Sequence, residues 1–106
     1  MNLLFVCSRN RWRSPTAETV FAAYPGIQSM SAGTAPDAAA VVSADMIEWA
    51  DIVLVMERAH SKRLKERFAT ELKSKRLVVL GIPDRYPYMD PELIRRLESK
   101  VPPLIR

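Results

Sequence analysis

Leu3-Leu4-Phe5-Val6-Cys7-Ser8-Arg9-Asn10-Arg11-Trp12-Arg13-Ser14-Pro15 opens with an apolar run and ends that run at the chain's one cysteine. After five intervening residues it brings an arginine, a hydroxyl and a proline. The continuous apolar run Leu3 to Val6 reads as a strand buried on both faces. Ser14 reads as an N-cap and Pro15 as the first residue of a helix, where a missing N–H costs nothing. A thiol, an arginine and a helix N-terminus around one short loop make a candidate site for a phosphate-like anion, with Cys7 at its floor.

Outward from this segment, Ala17, Val20 and Phe21 supply an apolar helix face, and Pro25-Gly26 ends the helix. Ile27 to Ser31 forms a second short strand closed by Ala32-Gly33-Thr34. The alanine-rich stretch from Pro36 to Val42 is expected to be loop. Ser43 caps a short helix through Trp49, and Asp51 to Met56 is a strong strand signal. One helix is expected over Glu57 to Leu72, with Leu64 and Phe68 at i, i+4 on its buried side. Leu77 to Ile82 reads as a fourth strand, and Asp90-Pro91-Glu92 as the capped start of the last helix.

Strands alternating with helices, at spacings too long for hairpins, imply parallel pairing through right-handed crossovers. The expected fold is a single α/β domain over residues 1–106. It has three layers and a four-stranded parallel sheet, doubly wound as in flavodoxin. Ligands of such sheets sit beyond the carboxyl ends of the strands. The Cys7 loop begins there.

The chain has 106 residues, 48% hydrophobic and 26% charged, which suits one compact soluble domain and not a disordered segment. No apolar stretch is long enough to span a bilayer, and Met1-Asn2 leads directly into a strand-like segment, so a cytoplasmic, non-membrane protein is expected. One cysteine and one histidine leave no set for a structural zinc site. The net charge of +4 suits an acidic partner. Arg9, Arg11 and Arg13 crowd the cysteine loop. Arg58, Lys62, Arg63, Lys65 and Arg67 read as a solvated helix face. No basic stripe interleaved with aromatics is present, so nucleic acid is not the expected partner.

A phosphoryl dianion needs donors in fixed geometry. A loop entering a helix offers unpaired backbone N–H groups and the positive end of the dipole. Arg13 adds a planar, permanently charged fork that grips two oxygens. The same field favours the thiolate of Cys7, and the Ser14 hydroxyl can donate to the sulfur. The candidate phosphate cradle therefore runs through Ser8, Arg9, Asn10, Arg11, Trp12, Arg13 and Ser14. The competing reading leaves Cys7 as a small buried hydrophobe and the arginines as surface charge.

The segment from Cys7 through Arg13-Ser14-Pro15-Thr16-Ala17-Glu18 resembles the low-molecular-weight protein tyrosine phosphatases. Asn10, Ser31-Ala32-Gly33-Thr34 and Ala50-Asp51 to Met56-Glu57 also match, so the resemblance runs with gaps over nearly the whole chain. It implies that Cys7 attacks phosphorus to form a cysteinyl-phosphate. Arg13 and the loop amides would hold the oxygens, Ser14 would support the thiolate, and Asn10 would keep the loop in shape. It implies no metal or organic cofactor, and it calls for a general-acid aspartate after the last strand. Asp84 directly follows that strand and is preferred. Asp90 looks like the family's Asp-Pro pair but carries every mark of a helix cap.

The chain departs from the family pattern in three places. Arg9 stands where the family has a loop glycine, which would strain a left-handed backbone. Trp12 replaces a second loop cysteine, and packing behind the loop is its first expectation. The segment between Gly33 and Ser43 is shortened, opening the pocket, with Tyr86 and Tyr88 either supplying one wall or packing within their own loop. The expected function is a cysteine-dependent phosphomonoesterase acting on a phosphorylated substrate, either a phosphotyrosine protein or a small phosphomonoester. A non-catalytic phosphate-binding or regulatory module, and arsenate reduction with an external thiol, are the alternatives.

Overall fold

A computed structural model describes residues 1–105 of the chain. The strands are β1 (Asn2–Cys7), β2 (Gln28–Gly33), β3 (Ile52–Val55) and β4 (Arg76–Val79). All pair in parallel, in the order β2-β1-β3-β4. The helices are α1 (Arg13–Ala22), α2 (Ala44–Trp49), α3 (Arg58–Arg67), α4 (Ala69–Leu72) and α5 (Pro91–Lys100), with a 3-10 turn at Pro102–Leu104. This is the expected α/β architecture.

Two-residue periodicity divides the apolar run of β1 between two cores. Leu3, Phe5 and Cys7 face a layer with Phe21, Leu54, Met56, Ile82, Leu93 and Leu97. Leu4 and Val6 face the other, with Ala32, Ile47, Val53, Val55 and Leu64. Phe5 stacks on Phe21 of α1 at 5.5 Å between centroids. Burial of the strand on both faces explains why its sequence is apolar without alternation.

Local chemistry moves three expected boundaries. α1 starts at Arg13, one residue before the expected cap, because the Trp12 carbonyl already accepts from the Thr16 N–H and hydroxyl. Ser14 is thus inside the first turn, and Pro15 still occupies a position whose N–H has no helical partner. The helix expected over Glu57 to Leu72 is broken at Phe68 (φ −130°, ψ 38°). The chain re-enters helix there and buries Leu72 as well as Leu64. β4 ends at Val79 because Gly81 adopts φ 71°, a conformation foreign to a strand, although Leu80 and Ile82 still donate to Val55 and Met56. Ser43 and Asp90 cap α2 and α5 as expected, each accepting from backbone N–H groups of its first turn.

Candidate active site

β1 sits between β2 and β3, so the Cys7 loop leaves the sheet where the winding reverses. Three segments converge on it at the carboxyl edge. They are residues 33–40 after β2, Glu57 and His60 after β3, and Asp84 after β4.

The loop backbone is braced from outside. The Cys7, Ser8 and Arg9 carbonyls accept from Thr34, Ala35 and Ala39 at 3.0, 2.9 and 3.1 Å. With the carbonyls turned outward, the N–H groups of Ser8, Arg9, Arg11 and Trp12 donate to no protein acceptor among the described residues. The 34–39 segment therefore serves as the loop's splint. Gly33 is required by this close approach: a Cβ there would meet the Ser8 carbonyl oxygen at 2.5 Å and Ala38 Cβ at 2.6 Å.

The loop's left-handed bend falls on Asn10 (φ 56°), a residue type that tolerates it, and not on Arg9. The strain expected at Arg9 is absent because the bend lies one residue later. Asn10 also bonds inward, its N–H to Cys7 Sγ at 3.2 Å and its side-chain amide to Ser14 Oγ at 2.9 Å. Ser14 Oγ lies 2.9 Å from Cys7 Sγ. An ionised sulfur can only accept, so in that state the hydroxyl donates to it.

Arg13 is 2% exposed, and its Nη1 donates to Glu57 Oε1 at 2.5 Å and to the Ile82 carbonyl at 2.9 Å. Its Nε lies 3.6 Å from Asp84 Oδ1. Nη2 has no hydrogen-bond partner among the described residues, and Arg13 lines the same cavity as Cys7. That cavity, of about 710 Å³, is also lined by Ser8, Arg9, Arg11, Trp12, Glu57, His60, Arg63 and Asp84.

Asp84 stands at the cavity, whereas Asp90 does not line it and spends Oδ1 on the N–H groups of Glu92 and Leu93. Trp12 is 47% exposed at the mouth, so the expected packing role is replaced by a rim position. The two tyrosines are not pocket walls. Tyr86 is buried between Arg85 and Arg96, and the Tyr88 hydroxyl pairs with Thr19 of α1. Together with the Met89 N–H bonded to Thr16, they anchor the segment that carries Asp84.

Glu57 and His60 belong to the site and were missed in the sequence. The Glu57 N–H donates to His60 Nδ1 at 3.0 Å, so the neutral ring carries its proton on Nε2, which donates to Ser8 Oγ at 2.9 Å. Burial foremost, and then the Arg13 charge, hold the His60 pKa below its ordinary 6.5, against the opposing pull of Glu57 and Asp84. The signal that pointed to these residues was positional. In a parallel sheet, whatever follows the strand beside β1 meets the loop after β1.

No protein-family model and no curated protein sequence matches the chain, but many solved structures do. A YwlE variant from Bacillus subtilis superposes with a TM-score of 0.77 at 19% identity, covering 100% of this chain and 99% of that one. The low molecular weight protein tyrosine phosphatase SP-PTP from Streptococcus pyogenes gives 0.78 at 16% identity, covering 99% and 93%. The tyrosine phosphatase Wzb from Escherichia coli, in complex with phosphate, gives 0.75 at 23%, covering 93% and 91%. The chain has the fold of the low-molecular-weight protein tyrosine phosphatases from end to end.

Proposed function

We propose that the chain is a cysteine-dependent phosphomonoesterase. One observation carries this reading. A free thiol sits at the floor of a cavity, with the Asn10 N–H and the Ser14 hydroxyl on it, unpartnered loop amides around it and a buried arginine beside it. This is a donor set for a tetrahedral dianion held in line with a nucleophile.

In the proposed reaction Cys7 Sγ attacks phosphorus and the bond to the ester oxygen breaks. Arg13 Nη2 and the loop N–H groups hold the other three oxygens as charge spreads over them. Glu57 and the Ile82 carbonyl fix the guanidinium, so the arginine meets the phosphoryl group already oriented. Asp84 donates a proton to the departing oxygen. Its carboxylate then takes a proton from the water that attacks phosphocysteine, releasing phosphate and the sulfur. Neither step needs a metal. The unshared free thiol suits the reducing conditions of the cytoplasm.

The neighbours' names include tyrosine phosphatases and an arginine phosphatase. The residues here favour an aryl phosphate. Arg11 and Arg63 at the cavity oppose a guanidinium leaving group, and exposed Trp12 offers a ring face to an aromatic one. The test is hydrolysis of para-nitrophenyl phosphate by the purified chain. Turnover that disappears in Cys7→Ser supports the reading, and Cys7-independent turnover or none at all refutes it.

A further inference from the structure

The mouth of the cavity is cationic beyond what holding one phosphate requires. Arg13 pairs through Nη1 and Nε with Glu57 and Asp84 and keeps Nη2 for the phosphoryl group, and Arg9 lies 3.6 Å from Asp37. Arg11 and Arg63 are exposed, line the cavity, and have no carboxylate partner among the described residues. Arg63 belongs to a row along α3. Ala59, Arg63 and Arg67 recur at i, i+4 and i+8, and Arg67 reaches the carbonyl of Thr34, another cavity residue. Uncommitted positive charge thus reaches the cavity from two elements, the loop and α3. No step of the proposed phosphoryl transfer uses it.

We infer that this rim selects the substrate: a phosphotyrosine carried in a peptide with acidic residues on its flanks. The inference rests on the proposed phosphatase reading of the same site. The phosphate occupies the loop and the ring lies against Trp12. Flanking carboxylates then meet Arg11 on one side and Arg63 on the other. Complementary charge at a rim of this kind governs encounter and discrimination between partners.

Binding to the full-length Cys7→Ser chain tests the rim independently of turnover, using two phosphotyrosine peptides alike except for glutamate or lysine flanks. The glutamate peptide should bind roughly tenfold more tightly at low ionic strength. The preference should fall towards parity near 1 M salt, where charges are screened within about 3 Å. Adding Arg63→Glu should increase affinity for the lysine peptide, a gain that misfolding cannot produce. Equal affinities at low salt, or a preference for lysine flanks, would overturn the inference. Para-nitrophenyl phosphate hydrolysis by the unmodified chain separates the two claims. Turnover without flank preference overturns the rim alone, and flank preference without turnover overturns the phosphatase reading alone.

Discussion

Two aspartates follow β4, and their contacts set them apart. Asp84 lines the cavity 3.6 Å from Arg13 Nε, whereas Asp90 caps α5. Asp84→Asn should lower kcat by about 10²–10⁴ on a phenyl ester with a poor leaving group, and by much less on para-nitrophenyl phosphate, whose phenolate leaves without a proton. Asp90→Ala should instead cost about 1 kcal/mol of stability, read by urea denaturation, with kcat nearly unchanged. The loop residues were legible because their spacing is local: Cys7, Asn10, Arg13 and Ser14 meet around one short loop. Asp84 was legible from its place after a strand. Glu57 and His60 were not, since they reach Arg13 and Ser8 across 44 and 52 residues of sequence. No local pattern marks such a pair.

At the scale of elements, the loop is held by its neighbours, and this makes two further effects measurable. Gly33→Ala forces a Cβ into the Ser8 carbonyl. It should destabilise the chain by about 1–3 kcal/mol and lower kcat/KM by displacing the amides, checked by denaturation alongside steady-state rates. The His60 brace adds a pH dependence whose sign follows from its lowered pKa. Between the folded value and about 6.5 the unfolded chain binds a proton that the folded chain resists. The contribution of His60 is therefore fully present above pH 6.5 and is lost as the pH falls below it. Tm should drop on acidification through that window, and His60→Gln should flatten the drop. The elements themselves were readable from periodicity and caps. Their ends were not, because Gly81 and Phe68 depart from strand and helix for reasons of backbone angle and burial set by the rest of the fold.

For the whole molecule, the strand order β2-β1-β3-β4 accounts for why one small domain can build this site. Parallel pairing brings every strand's carboxyl end to one edge. The Cys7–Arg13 loop, Glu57 with His60, and Asp84 then meet at one cavity from segments far apart in sequence. The doubly wound, flavodoxin-like reading of the sequence put the reversal of winding beside the first strand, and the observed order has it there. What the sequence alone did not reveal was that the 34–39 segment binds the loop's carbonyls and so turns them away from the cavity. The most direct test of the covalent route is rapid mixing of the chain with excess aryl phosphate, quenched in acid on the millisecond scale. The prediction is a burst of phenol equal to the enzyme present, with a phosphoryl group on Cys7 that is absent in Cys7→Ser. Steady phenol release without a burst, from a chain whose Cys7 stays unmodified at every time point, would contradict it.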